Sequence, residues 1–206
     1  MARELRSIVW VEALAVFAVA AVPWPATVPF ALPLVIAGTA SRWVRGRTWA
    51  EVAKGRAAHA VIGAVAGIVA LVLAVGVATR GIASLSQRSF EWSEYAVVRG
   101  NVKLVLIVSL YVAVTAVAAE LALRGWLVER VLELSPGENA LPILVGALAE
   151  AVITPGDIAT RVGAGLFGAG LGWLYIAGGR SVLAPVCARV AFQTGALVLE
   201  ALRVVG

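Results

Sequence analysis

Long apolar runs alternate with short polar segments along almost the whole chain of 206 residues. A helix of about 20 apolar residues spans the hydrocarbon core of a bilayer, which is roughly 30 Å thick. The pattern therefore predicts an all-α fold: a polytopic transmembrane bundle of about seven spans, forming a single membrane domain over residues 1–206. The apolar runs cover residues 8–22, a stretch ending near 39, 57–79, 102–123, 141–153, 162–177 and 181–205.

Two of these runs allow a second interpretation. The run at 141–153 is short for a complete span, so a buried or re-entrant helix also fits it. The first run follows Arg3 and Arg6, a pattern that cleaved signal peptides share. Glu12 inside that run favours a retained helix whose polar face packs on other helices. A tight, uncharged turn to the second helix is predicted from Pro23, Pro25, Pro29 and Pro33.

Charged residues concentrate between the runs, where they indicate the topology. Residues 41–56 contain five basic side chains and one acidic one, so this loop and the N-terminus are expected to be cytoplasmic. The loop after the third run mixes charges with aromatic residues and is expected to be extracytoplasmic. This loop carries Arg88, Phe90, Glu91, Trp92 and Glu94; a later cytoplasmic loop is predicted around Glu129, Arg130, Glu133 and Glu138, with a turn at residues 135–137.

The composition supports a membrane protein and excludes a nucleic-acid-binding one. At 61% hydrophobic and 14% charged residues, the chain has too little polar surface for a water-soluble domain. The net charge is +5, but the basic residues lie at the ends of apolar runs rather than in a patch, so no nucleic acid is expected as a partner. Abundant Arg, Ala, Val and Gly fit a bacterial protein, and the bacterial plasma membrane is the expected location.

The chain has one cysteine and one histidine, which limits the chemistry available to it. Cys187 cannot form an intrachain disulfide and is expected to be a small packing residue. His59 lies near the start of a span, where a packing role is favoured over a ligand role. A His-rich metal site is impossible within one chain, so neither a metal nor another cofactor is expected.

Four ionisable residues lie in or at the edge of apolar runs, where burial in lipid is costly: Glu120, Arg124, Glu150 and Arg189. Glu120 and Arg124 are four residues apart on one helix, so their side chains can pair. Chemistry alone favours an ion pair at the helix end, with Arg124 extending to the headgroups. Glu150 and Arg189 each lie about 14 Å from the cytoplasmic ends of their spans, so an ion pair between them is also expected.

Glycines are closely spaced in the sixth run. Gly168 and Gly172 form a Gly-x-x-x-Gly pattern, which allows two helices to approach closely. We therefore expect Gly168 and Gly172 to serve helix packing.

Several segments resemble the motifs of the CPBP or Abi family, the CAAX-processing and bacteriocin-processing intramembrane proteases. Residues 119–124, Ala-Glu-Leu-Ala-Leu-Arg, are similar to the family's first motif, Glu-Glu-x-x-x-Arg. Residues 144–150 are similar to its second motif, Phe-x-x-x-His, with Glu150 in the His place. Residues 167–185 are similar to its glycine-rich helix, turn and final helix. Arg189 and Gln193 match the family's closing His-x-x-x-Asn. The resemblance covers residues 100–195 and implies a core like that of the family.

The same resemblance bears on activity. In family members the first Glu, the two His and the Asn form the hydrolytic site, described either as a metal site or as a Glu-activated water. The matching residues here are Ala119, Glu150, Arg189 and Gln193. Alanine exchanges no proton and arginine stays protonated, so neither acts as a base or binds a metal cation. The inherited mechanism is therefore not expected to operate, although Glu120 and Arg124 are retained.

These residues predict a catalytically degenerate member of the family that binds another membrane protein or a peptide. An alternative is an active intramembrane protease in which Glu120 and Glu150 form a carboxylate pair. A third class, a transporter or channel, would need more polar residues along the spans than this chain has.

Overall fold

A computed structural model describes residues 31–78 and 98–202, together with Val11, Glu12, Leu14, Ala15, Ala18 and Val22. The described part is helical and contains no strand, which confirms the all-α class. Most of the first predicted span and the predicted extracytoplasmic loop around residues 88–94 lie outside the described residues. The turn predicted over residues 23–33 is described only from Ala31, where a helix already begins, so Pro33 lies in the first turn of that helix and not in the predicted turn.

The helices follow one another with short connections. They are α1 (Ala31–Val44), α2 (Ala50–Ala53), α3 (Ala57–Leu73), α4 (Val102–Glu120), α5 (Glu129–Leu134), α6 (Ala140–Ile153), α7 (Ile158–Ala177) and α8 (Leu183–Ala201). Two stretches have wider π-helical turns: Ala74–Ala78 extends α3, and Leu121–Val128 joins α4 to α5 without a break. We call residues Leu121–Val128 the π segment.

Three helical stretches in the described ranges are long and apolar enough to cross a membrane: Ala57–Gly76, Lys103–Leu134 and Leu183–Ala201. Two shorter helices, Ala31–Val44 and Ala140–Ile153, are also apolar. The protein is therefore embedded in a lipid bilayer through its helices, as the sequence predicts. The count of seven spans stays a prediction.

The prediction of a loop after residue 123 is wrong, because the chain remains helical to Leu134. The charged residues that suggested a loop are accommodated inside the structure: Glu129 and Arg130 are both buried and both have partners of opposite charge or hydrogen-bond donors. The turn predicted at residues 135–137 is confirmed, and Gly137 has a positive φ of 85° that favours glycine there.

The described residues group into two units, and the domain organisation of the whole chain stays a prediction. The first unit contains residues 1–55 and 117–185, and its core forms where α1 and α6 pack on the π segment. A Cβ on Gly38 of α1 would lie 3.2 Å from the ring of Trp126. The buried residues of this core are Leu34, Ala122, Leu123, Trp126, Leu127, Val131 and Ala149.

Helices α6 and α7 form a closely packed hairpin in the first unit. Asp157 caps the start of α7 by accepting a hydrogen bond from the Thr160 amide at 2.8 Å. A Cβ on Gly168 would lie 2.8 Å from the Glu150 Cβ, and a Cβ on Gly172 would lie 3.5 Å from the Cα of Ile143. The predicted packing role of these two glycines is confirmed.

The second unit contains residues 56–116 and 186–206. Helices α3 and α8 approach each other so closely that a Cβ on Gly67 would lie 2.1 Å from the Ala188 carbonyl oxygen. His59 accepts a hydrogen bond from the Arg56 amide at 3.3 Å, so its role in the structure is at the start of α3. At the C-terminal end of α8, the Ala201 carbonyl accepts a hydrogen bond from the Gly100 amide at 3.2 Å, which joins the start of α4 to the end of α8.

Candidate functional site

Arg124 is the centre of a buried polar cluster in the first unit. Its Nη1 donates to Glu150 Oε2 at 2.8 Å and to Glu120 Oε1 at 3.3 Å, and its Nη2 donates to the Gly168 carbonyl at 2.8 Å. The side chains of Arg124 and Glu120 are completely buried, and that of Glu150 is 5% exposed. We call these four residues the Arg124 cluster.

The burial of Arg124 corrects one expectation from the sequence. An arginine at a helix end was expected to extend to the headgroups, but Arg124 has 0% exposure and points into the protein. The helix does not end there, since the π segment continues it for another turn and more. The predicted pairing of Glu120 with Arg124 is confirmed, and Glu150 is added to the same guanidinium group.

Local backbone structure brings these side chains together. Glu120 is the last residue of α4 and Arg124 lies in the π segment, where wider turns alter the direction in which successive side chains point. Stretches of π-helix are rare and occur frequently at functional sites. Glu150 comes from α6, and Gly168 of α7 leaves room for it because it has no side chain. Four helical stretches, namely α4, the π segment, α6 and α7, therefore contribute to the cluster.

The Gly125 carbonyl, next to Arg124, accepts a hydrogen bond from a residue outside the Arg124 cluster. Arg42 at the end of α1 donates to this carbonyl at 2.9 Å and to the Thr48 carbonyl at 2.6 Å. Its guanidinium carbon also lies 4.9 Å from the centre of the Trp49 ring, a cation–π geometry. Arg42 is buried, so this basic side chain of the 41–56 segment packs inside the protein and fixes the segment against the π segment.

Two further polar contacts hold the helix that continues beyond the π segment. The Tyr175 hydroxyl of α7 donates to Glu129 Oε1 at 2.8 Å, within the buried interior. Arg130 pairs with Glu12, which also accepts from Ser41 at 2.7 Å and from Arg45 at 3.0 Å. The expectation that Glu12 gives the first helix a polar face packed on other helices is confirmed at this residue.

The remaining positions of the family-like motifs are one apolar residue in the first unit and two polar residues in the second unit. Ala119 is buried and apolar, so no carboxylate is present at that position. Arg189 and Gln193 lie on the part of α8 that belongs to the second unit, and Arg189 is buried. The ion pair expected between Glu150 and Arg189 joins residues of different units and stays a prediction.

Residues 101–195 match a family described as Rce1-like, type II CAAX prenyl endopeptidase. The match includes the Arg124 cluster and both motif positions on α8. This part of the chain is therefore similar to Rce1-like proteins. No curated protein and no solved structure matches the chain.

The residues of the Rce1-like region do not fit a catalytic metal ion. In the part of the chain that the structure describes, no three His, Cys, Asp or Glu side chains group in a way that could hold one. Glu120 and Glu150 both face the Arg124 guanidinium, so a cation placed beside them would meet a positive charge at hydrogen-bond distance.

Sequence reasoning predicted the pair of Glu120 with Arg124 but not the contacts of Arg124 with Glu150 and Gly168, and it missed three further buried polar residues. Arg42 was interpreted as a topology signal because it follows an apolar run, and burial cannot be deduced from that position alone. Tyr175 has no charge to mark it. Glu200 is completely buried near the end of α8, and its spacing of seven residues from Gln193 was a usable signal, since it places both on one helix face.

Proposed function

We propose that this chain is a catalytically degenerate Rce1-like membrane protein that binds another membrane protein or a peptide. The observation that carries the proposal is that Arg124 binds both Glu120 and Glu150 in a buried cluster. One oxygen of each carboxylate accepts a hydrogen bond from Arg124, so neither of these oxygens is open to a water molecule. Activation of water requires a base or a Lewis acid, and the cluster offers neither in a free state.

The substituted motif positions support the same proposal. Ala119 supplies only a methyl group where the family motif has a carboxylate. Arg189 retains its proton at any working pH and cannot accept one from water. Gln193 can still donate and accept hydrogen bonds, so it is suited to binding rather than to proton transfer.

An apolar groove in the second unit supports a binding role. It has a volume of about 950 Å³ and lies between α3 and α8, the helix that also carries Arg189 and Gln193. A membrane-embedded peptide presents mostly apolar side chains, which such a lining accommodates. Its lining includes Ile68, Leu71, Val72, Cys187, Val190, Thr194 and Val198.

A cleavage assay tests the loss of catalysis. The purified chain is reconstituted in vesicles with a panel of prenylated peptides ending in CAAX sequences, the substrates that the family description names, and with other membrane peptides. We expect no cleavage of any peptide. Cleavage by the unaltered chain would overturn the degenerate assignment.

A crosslinking assay tests binding. Cys187 is the chain's only cysteine and lines the groove, so a photoreactive maleimide attached to it reports on peptides bound there. The control places the label on the lipid-exposed Leu110, in the double variant C187A/L110C. We expect at least one peptide of the panel to crosslink from Cys187 and not from position 110. Equal crosslinking from both positions would contradict a binding groove.

A second candidate function is proteolysis by Glu120 and Glu150, and one observation favours it. Both carboxylates approach the same nitrogen of Arg124, so they are close enough to act as a pair. If peptides are cleaved, E120Q and E150Q distinguish the two routes: loss of cleavage in both variants would establish the carboxylate pair. Retention of cleavage in both would exclude it.

A further inference from the structure

Three buried polar atoms in the second unit have no hydrogen-bond partner among the described residues: Ser109 Oγ on α4, and Gln193 Oε1 and Glu200 Oε2 on α8. Nearly all buried polar atoms in proteins bond to another protein group or to ordered water. Glu200 pairs with Arg99 at 2.6 Å through its other oxygen, Oε1. The Ser109 and Gln193 oxygens each have no partner among the described residues.

Ser109 and Gln193 lie at the same depth in the second unit. The hydrogen bond from Gly100 to Ala201 places the start of α4 beside the end of α8, so the two helices run in opposite directions from that level. At 1.5 Å per residue, Ser109 lies about 13 Å along α4 from this level, and Gln193 lies about 12 Å back along α8.

The two residues also lie on the helix faces that pack together. Val105, Val108 and Val112 belong to the hydrophobic cluster that includes Leu197 and Ala201 of α8. Ser109 shares the face of these valines, because it is four residues after the first and three before the last. Gln193 is likewise four residues before Leu197, so it shares the α8 face that takes part in this cluster.

We propose that α4 and α8 hold an internal water site between Ser109 and Gln193. The chemistry of the two oxygens is complementary to one water molecule: the Ser109 hydroxyl donates to the water oxygen, and the water donates to Gln193 Oε1. A site with polar groups on both sides retains water, unlike an apolar cavity of similar size.

The site has a consequence for α8 that is independent of the proposed function. It places water one helical turn from Arg189, on the helix whose family-like positions have lost their hydrolytic residues. The inner face of α8 is therefore hydrated within the membrane although the inherited chemistry is absent.

A double-mutant cycle tests the water site. S109A, Q193L and the double variant are made in the full chain, and the unfolding equilibrium constant is measured in lipid–detergent micelles. If water links the two oxygens, each single substitution leaves one partner unsatisfied and raises the constant about fivefold. The unfolding constant of the double variant then rises by less than the product of the two single increases, because the link through water is lost only once.

A lower unfolding constant in the single variants would overturn the proposal. If the oxygens have no water, replacing either one with an apolar group removes an unsatisfied atom and lowers the unfolding constant. If the two single increases in the free energy of destabilisation simply add in the double variant, a shared water is excluded. T115V serves as the control, since the Thr115 hydroxyl bonds to carbonyls of its own helix.

A measurement on the unaltered protein keeps the test valid if a variant does not fold. Water-edited solid-state NMR of chain labelled at glutamine and leucine detects magnetisation transfer from water to the Gln193 side-chain carbonyl. The signal of Gln193 is the glutamine signal that persists in Q87N, since Gln87 is the chain's other glutamine. We expect this transfer to be at least threefold faster than transfer to the side chain of lipid-exposed Leu110. Equal rates would overturn the water site.

Discussion

Gly168 and Glu150 are in such close contact that a Cβ on Gly168 would lie 2.8 Å from the Glu150 Cβ and 3.1 Å from its Cγ. The Gly168 carbonyl also accepts a hydrogen bond from Arg124, so a single glycine both admits the carboxylate and binds its partner. The spacing of α6 and α7 and the geometry of the Arg124 cluster therefore depend on the same residue.

Replacing Gly168 with alanine is expected to destabilise the protein by about 2 kcal/mol, because the added methyl group overpacks a rigid contact. G170A is the matched control in the same helix, since a Cβ there would meet nothing within 4 Å. Thermal unfolding in detergent measures both variants. Equal melting temperatures for G168A and G170A would contradict the close contact.

Removing the positive charge of the Arg124 cluster should be more damaging. R124M leaves Glu120 and Glu150 buried together without a cation, and loss of one partner from a buried ion pair typically costs about 3–5 kcal/mol. The triple variant R124M/E120Q/E150Q removes the like charges as well and should recover much of this loss. Denaturant titration measures both, with R161Q at an exposed position as the control.

A different outcome would change the account of Arg124. If R124M unfolds at the same denaturant concentration as the unaltered protein, the guanidinium does not hold the two carboxylates in place. The cluster would then contribute little to the fold, and the support it gives to the proposed function would be lost.

The Tyr175 hydroxyl is expected to stabilise the buried start of α5. Y175F removes the donor to Glu129, and a hydrogen bond to a charged group is worth about 2 kcal/mol. Y111F is the control, because it makes the same chemical change at a surface position where the tyrosine is 54% exposed. A drop in melting temperature for Y111F as large as that for Y175F would contradict the prediction.

In the second unit, G67A is expected to separate α3 from α8. The added methyl group would lie 2.1 Å from a backbone oxygen, which cannot rotate away as a flexible side chain can. We expect a loss of about 3 kcal/mol or failure to fold. G163A is the control, since a Cβ at Gly163 meets nothing within 4 Å, and unchanged stability of G67A would rule out the contact.

The segment between α1 and α3 should respond to acid through Glu51. The Thr48 amide donates to Glu51, and Arg42 and Arg47 lie nearby, so the pKa of this carboxyl is lowered below its usual value of 4.5. A lowered pKa in the folded state means that the stabilisation is present above pH 4.5 and is lost as the pH falls through the folded value.

Hydrogen exchange of the amides of residues 45–53 measures this effect. Their protection should decrease on acidification below pH 4.5 in the unaltered protein. In E51Q the protection should already be reduced at neutral pH and should change less with pH. E138Q, at an exposed position, is the control, and the same acid response in E51Q as in the unaltered protein would assign it to another group.

The sequence predicts contacts that depend on helical spacing better than it predicts the secondary structure of the charged segments. The spacing of Gly168 and Gly172 indicates a helix contact, and four residues between Glu120 and Arg124 indicate a pair, because both depend only on the helical repeat. Burial of Glu129 and Arg130 depends instead on Tyr175 and Glu12, which are far away in the chain. Local charge suggested a loop, whereas distant partners allow a helix.

The same limit applies to the candidate site. Helical spacing cannot reveal that Arg124 also binds Glu150, since that contact crosses from the π segment to α6. Nor can it reveal that Arg42 holds the Gly125 carbonyl across 83 residues of chain. Contacts between distant parts of the chain decide which basic residues face water and which are enclosed.

The π segment makes the number of residues between Glu120 and Glu129 a determinant of the structure in its own right. Each residue of an α-helix turns the chain by about 100°, so a residue lost from a regular α-helix rotates everything after it relative to everything before it. Glu120 bonds to Arg124 on one side of this joint, and Glu129 bonds to Tyr175 on the other. A chain shorter by one residue could keep both only if the wider π-helical turns tightened to α-helical ones, so the length of this joint is tied to its π-helical form.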